Sequence, residues 1–145
     1  MLLPDVNILV YAFRGESPGH ERFRGWLEDL IGSEEAYGMS DLVCSGFLRV
    51  VTHPAIFVPP SPLDLALTFI ERVRDQPNCV PVAPGQRHWP IFAGLCQESG
   101  ARGRLVADAY HAALAIESGC EWISMDGDFG RFTGLRWRRP FGLSR

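Results

Sequence analysis

The chain contains no lysine: all 14 of its basic residues are arginine. That absence excludes Schiff-base, P-loop and phosphotransfer-lysine chemistry, each of which needs an ammonium or amine on a lysine stem. Also missing is any apolar run near the roughly 20 residues that span a bilayer, so no membrane association is expected. Met1-Leu2-Leu3-Pro4-Asp5 carries no basic segment and meets an acid at once, which argues against a secretory signal. Cysteine is sparse: Cys44, Cys79, Cys96 and Cys120 are far apart, form no C-x-x-C pair and sit in apolar contexts. They read as free thiols in a reducing compartment, and the expected location is the cytoplasm. Internal repeats, low-complexity tracts and linkers are absent as well.

What is present is the composition of an ordinary globular protein, 46% hydrophobic and 21% charged over 145 residues. That length sets the expectation of a single domain over residues 1–145, large enough to bury its own core. The net charge of -3 gives no global attraction to nucleic acid. Positive charge is concentrated locally: Arg131, Arg136, Arg138, Arg139 and Arg145 follow one another with no acid among them. Such a tail either meets phosphates or an acidic partner, or is a solvated surface strand.

Strand and helix patterns alternate along the chain. The apolar run from Leu2 to Tyr11 reads as a buried strand that ends near Asp5 and passes into a helix. Ser17-Pro18 reads as the N-cap and first residue of a helix carrying Phe23, Trp26, Leu27 and Leu30, with Gly32 as its terminator. A short strand is predicted at Tyr37–Met39. Ser40 then caps a helix with Leu42, Val43, Phe47, Leu48 and Val51, stopped by Pro54. Ser61-Pro62 starts another, with Asp64 completing a capping-box-like pattern and Leu65, Leu67, Phe69, Ile70 and Val73 on its apolar face. Residues 79–82 form a strand candidate in which Pro81 indicates an edge or an end. His88 to Ser99 reads as a helix ending at Gly100. The loop 101–104 leads to a small-residue helix from Ala107 to Ser118, ended by Gly119. A strand over 121–125 ends at Asp126, and a last short strand falls at 135–138. The expected fold is a three-layer α/β arrangement with a mainly parallel central sheet flanked by helices.

In open parallel sheets, ligands bind beyond the carboxyl ends of the strands. Asp5 ends the first strand, Asp126 ends a late one with Asp128 two residues on, and Asp108 opens the helix before it. Each has a plain structural alternative: a helix-dipole acid for Asp108, a turn for Asp126-Gly127-Asp128, a strand-end polar for Asp5. Gathered at one end of a sheet, these carboxylates would repel one another, and a divalent ion relieves that repulsion. Carboxylate-held metal suits phosphodiester hydrolysis. Ser45, His53, His88 and His111 show no nucleophile–base pairing; His111 follows Asp108 by one helical turn and either faces the pocket or packs.

The segments Asp5-Val6-Asn7-Ile8-Leu9-Val10-Tyr11, Asp108-Ala109-Tyr110-His111-Ala112-Ala113 and Ser124-Met125-Asp126-Gly127-Asp128-Phe129, with Ser45-Gly46-Phe47-Leu48-Arg49 between them, occur in the order and spacing of a PIN domain. The chain resembles in particular the VapC toxins of prokaryotic toxin–antitoxin modules, over essentially its full length. The resemblance implies a single PIN domain and an Mg²⁺- or Mn²⁺-dependent endoribonuclease acting on structured RNA, transfer or ribosomal. It also implies a homodimer neutralised by a VapB-like antitoxin. It places Asp5, Asp108 and Asp126 as metal ligands, Asp128 as a further acid, and Asn7 and Ser124 as supports for the carboxylates. The family's usual glutamate on the helix after the second strand is missing: counting on from Ser40 arrives at Gly46. Ser45 is adjacent and either reaches a metal-associated water or packs, and Asp41 fits the helix N-terminus better than the site. Arg102 and Arg104, just before Asp108, are candidate phosphate contacts or ordinary exposed arginines. By the same resemblance an antitoxin segment lies in a groove of the early helices, with Leu27, Leu30, Phe47 and Trp26 available to it or buried in the core.

Two other readings compete. A receiver-like or dehalogenase-like phosphoryl-transfer domain also has strand-end aspartates, but it needs the lysine this chain lacks. A catalytically weak PIN-fold binding module, which keeps antitoxin pairing and has lost activity with the glutamate, is motivated by Gly46.

Overall fold

The computed structural model describes residues 1–142; Arg145 of the basic tail lies outside the described residues. Among the described residues five strands form one parallel sheet: β1 (Leu2–Pro4), β2 (Tyr37–Met39), β3 (Cys79–Pro81), β4 (Glu121–Ile123) and β5 (Trp137–Arg138). Their spatial order is β3-β2-β1-β4-β5. The chain therefore runs outward from β1 through β2 to β3, then returns to lay β4 against the other side of β1. The boundary between β1 and β4 is the point where the winding reverses, and crevices for ligands open at such points. Register places Pro4 opposite Ile123, and Ile123 opposite Arg138. The residues that follow each strand, Asp5, Ser124 and Arg139, thus emerge in one row along the carboxyl edge of the sheet.

Among the described residues six helices flank it: α1 (Val6–Phe13), α2 (His20–Gly32), α3 (Asp41–Val51), α4 (Leu63–Arg74), α5 (His88–Ser99) and α6 (Arg104–Ser118). Helix α1 packs on α2 and α3, α3 on α4, and α5 on α6. Leu3, Ile8, Leu9, Tyr37, Val43, Phe47, Trp122, Ile123 and Phe129 are buried at the centre. Helix α6 buries Ala109, Ala112, Ala113 and Ala115, small side chains that let its backbone lie close to its neighbours. No helix among the described residues is long and apolar enough to cross a membrane. The four cysteines are free; Cys44 and Cys120 are buried, Cys79 and Cys96 half-buried. Pro81 sits on β3 at the sheet edge, as its missing amide requires.

Several helix starts differ from the sequence expectation. Helix α2 begins at His20 after Gly19, not at Pro18; Ser17 instead makes a turn in which its carbonyl accepts from His20. Helix α4 begins at Leu63, and the Ser61 hydroxyl accepts from Arg14 rather than capping the helix. Helix α6 starts at Arg104, three residues before Ala107, so Asp108 stands in its second turn and Arg104 belongs to the helix rather than the loop. The start is set by Gly103, whose φ of 55° is a conformation that favours glycine. Leu42 and Leu65, expected on apolar faces, are 44% and 56% exposed.

Candidate active site

Asp5 does two jobs. It is the N-cap of α1, with one carboxylate oxygen accepting from the Val6 amide at 2.6 Å. Its other oxygen accepts from the Ser124 hydroxyl at 2.6 Å and from the Asn7 amide at 3.4 Å. Ser124 Oγ in turn accepts from Asn7 Nδ2 at 3.2 Å and from the Asp126 amide at 3.0 Å. Asn7 Oδ1 accepts from the Met125 amide at 3.3 Å. The start of α1 and the loop after β4 are therefore tied through the side chains of Asn7 and Ser124. Asp126 caps the short 3-10 turn Gly127–Arg131 by accepting from the Asp128 amide at 2.9 Å.

The electrostatics show how tightly negative charge is gathered. Asp5 is only 8% exposed, and its carboxyl is pushed up to about 6. Burial is the main cause, and the charges of Asp108 and Asp126 add to it against the hydrogen bonds from Ser124 and Val6. Half-buried Asp108 is also raised, first by burial and then by Asp126 and Asp128, with Arg104 and Arg131 opposing. Asp128 is half exposed and pairs with Arg131 at 3.3 Å.

This donor set fits a small hard cation. Asp5, Asp108 and Asp126 offer oxygen ligands whose mutual repulsion a divalent charge would relieve. Among the described residues no three His, Cys, Asp or Glu side chains close into a complete cage. Mg²⁺ does not need one, because it keeps several waters and is held by one or two carboxylates plus substrate phosphate.

The remaining candidates are placed as follows. Ser45 is exposed on α3, and no hydrogen bond among the described residues links it to the carboxylates. Asp41 is turned to solvent and pairs with Arg74 at 2.5 Å. Arg102 and Arg104 are exposed at the start of α6, and the charge of Arg104 reaches Asp108. His111 packs: its ring stacks on Trp122, centroids 5.1 Å apart at 23°. Its Nδ1 and the Trp122 Nε1 are both buried without a hydrogen-bond partner, a detail no periodicity could announce.

Gly46 has a packing explanation. A Cβ there would sit 2.9 Å from Val6 Cγ2, so α3 lies against α1 at a distance that only glycine allows. Gly46→Ala gains up to about 1 kcal/mol of helix propensity and loses about 1–3 kcal/mol to overpacking against a stiff β-branched side chain. The expected net result is destabilisation by about 1 kcal/mol, removed when Val6→Ala is added. A chemical-denaturation double-mutant cycle reads the coupling, and additive effects would refute the contact.

A family model described as "PIN domain" matches residues 2–135. Ribonuclease VapC25 of Mycobacterium tuberculosis is 41% identical over 140 residues, covering 97% of this chain and 99% of that protein. The VapC ribonuclease Mb2897 of Mycobacterium bovis is likewise 41% identical, covering 97% of this chain and 95% of its own length. Among solved structures, that of VapBC2 from Rickettsia felis bound to a DNA fragment from its promoter superposes with a TM-score of 0.70 at 14% identity. It covers 95% of this chain and 97% of the other.

Proposed function

The chain belongs to the PIN domain family, with VapC ribonucleases as its relatives, and from that premise we propose that it is an Mg²⁺- or Mn²⁺-dependent endoribonuclease toxin. Its substrate is structured RNA, transfer or ribosomal, its compartment the cytoplasm, its working form a homodimer, and its activity is silenced by a VapB-like antitoxin. The observation that carries this reading is the network in which Asn7 and Ser124 lock Asp5 beside the Asp126 loop at the β1–β4 reversal.

Asp5, Asp108 and Asp126 are the residues that would hold the ion. When bound, a divalent cation lowers the pKa of a water and offsets charge on the phosphodiester. The protein's own part is orientation. Ser124 donates to Asp5 and so fixes the direction of its free lone pairs, while Asn7, in the first turn of α1, joins that helix to the loop after β4. Asp108 approaches from α6, a rigid element, and Arg104 and Arg131 temper its repulsion. Purified protein incubated with RNA from its own host and Mg²⁺ or Mn²⁺ is expected to release discrete fragments, and chelator is expected to stop it. Intact RNA under both metals would refute the enzyme.

The binding-module reading keeps one observation in its favour: packing of Val6 closes the place of the usual glutamate. It differs by outcome, since such a module would pair with antitoxin and cut nothing.

A hollow of about 430 Å³ between α1, α2 and α4 suits the antitoxin segment. Ala12, Phe13, Leu27, Ile31 and Phe69 line it, with Arg72 at the rim. Leu27 borders it but is only 3% exposed, and Phe47 is fully buried, so both belong to the core. Ile31→Glu is expected to weaken co-purification with the cognate antitoxin at least tenfold, since it exchanges apolar contact for a charge that must be desolvated on docking, and to leave RNA cleavage intact. Equal capture of both forms would place the partner elsewhere.

A further inference from the structure

We propose that Arg139 is an RNA-phosphate contact on the rim of the carboxylate site, an inference that rests on the ribonuclease reading above. The basic tail is not uniform once folded. Arg131 pairs with Asp128, Arg138 pairs with Glu121 at 3.0 Å, and Arg136 donates to the Gly119 carbonyl at 2.7 Å. Among the described residues Arg139 has no carboxylate partner. Its guanidinium lies 5.5 Å from the centre of the Trp137 ring.

Its position is what matters. Arg139 leaves β5 in the same row as Asp5 and Ser124, because Arg138 stands opposite Ile123 and its carbonyl accepts from the Ser124 amide at 3.1 Å. A Cβ built on Gly127 would meet Arg139 Nη2 at 3.4 Å. The guanidinium therefore lies against the one residue between Asp126 and Asp128. It does not neutralise them: Asp126 accepts from the Asp128 amide, and Asp128 is taken by Arg131.

A half-buried arginine held against the Asp126–Asp128 turn without an ion pair keeps its donors open to an anion from outside. RNA approaching the cluster meets repulsion from every carboxylate, and a fixed cation at its edge offsets part of it. Trp137 holds the side chain in place, so less rotamer freedom is lost when a phosphate arrives. Phosphate is also the acceptor that matches the planar donor fork of arginine.

Binding of a fluorescein-labelled single-stranded oligoribonucleotide is measured by anisotropy in EDTA over a range of salt, for wild type, Arg139→Gln, Arg139→Lys and Arg136→Gln. Removing one phosphate contact from a single strand is expected to reduce the slope of log K against log salt by about 0.7. Arg139→Gln shows that reduction. Arg139→Lys keeps the slope, which also shows that the fold tolerates change there, but binds more weakly. Arg136→Gln matches wild type. An unchanged slope in Arg139→Gln overturns the proposal, and this is the result if the guanidinium serves a protein partner. An equal loss in Arg136→Gln overturns it too, because the effect would then be diffuse tail charge. Wild type that binds RNA but cuts none with Mn²⁺ refutes the nuclease and leaves the slopes to decide Arg139; wild type that binds no RNA in EDTA at any salt overturns the Arg139 contact and leaves cleavage with Mn²⁺ to decide the nuclease.

Discussion

Asp108→Asn is expected to lower RNA cleavage by more than about a hundredfold, because loss of a ligand should exceed the 10–100-fold typical of losing a group that merely orients one. Asparagine keeps the shape and removes the charge, so the change reports on what the carboxylate does at the site and not on packing. Asp108 is half-buried in the second turn of α6, an element held by α5 and its own buried alanines, so the variant should fold. Ser124→Ala gives the contrasting case. It removes the hydroxyl that donates to Asp5 and that accepts from Asn7 and the Asp126 amide. Its expected loss lies within roughly 10–100-fold and is partly recovered at high Mn²⁺, since the ligands survive but point less well. Single-turnover cleavage against metal concentration separates the two: Asp108→Asn should not be rescued. Equal activity of Asp108→Asn and wild type would remove Asp108 from the site.

The sequence made the carboxylates legible because each lies at a place with a physical signature. Asp5 interrupts an apolar run where strand turns to helix, and Asp126-Gly127-Asp128 follows a run with strand character. Parallel sheets converge such ends, so the cluster followed from the alternation of elements. What tied it together was hidden. Asn7 and Ser124 are 117 residues apart, and nothing local announces that β4 returns to the flank of β1. Arg139 was lost among five similar arginines for the same reason, since its neighbours are decided by the pairing of β5. The gap at Gly46 was visible from family resemblance, but its cause was not; only the approach of Val6 explains it. Helix starts were misplaced where a serine had a stronger tertiary partner, as when Arg14 claims Ser61. Local capping preference is worth about 1 kcal/mol, little enough for a cation to override.

The metal-free protein is expected to show a nearly level stability between about pH 4 and 6.5 that splits into two opposite slopes on mutation. Asp5 is raised in the fold to about 6 from 3.8. Between those values the native state binds the extra proton, so stability falls as pH rises, by about 3 kcal/mol in all at about 1.4 kcal/mol per unit. His111, its charged form disfavoured by burial, is lowered to about 4 from 6.5. Over nearly the same range the unfolded state binds the extra proton, so stability rises with pH by a similar amount, about 3 kcal/mol. Raised Asp108 adds to the first effect. In Asp5→Asn the histidine acts with less opposition, so stability climbs from about pH 4 to 6.5. That variant exceeds wild type above about pH 6 and converges on it near pH 4. In His111→Phe, which keeps a ring against Trp122, the carboxylates act alone and stability declines over the same window. Mn²⁺ at neutral pH should stabilise wild type and do much less for Asp5→Asn, because the ion binds the ionised carboxylate that the fold otherwise tolerates at a cost. Urea titrations across pH read all three curves. If Asp5→Asn followed wild type throughout, the buried carboxylate would carry no such cost, and the electrostatic case for a cation at this site would be lost.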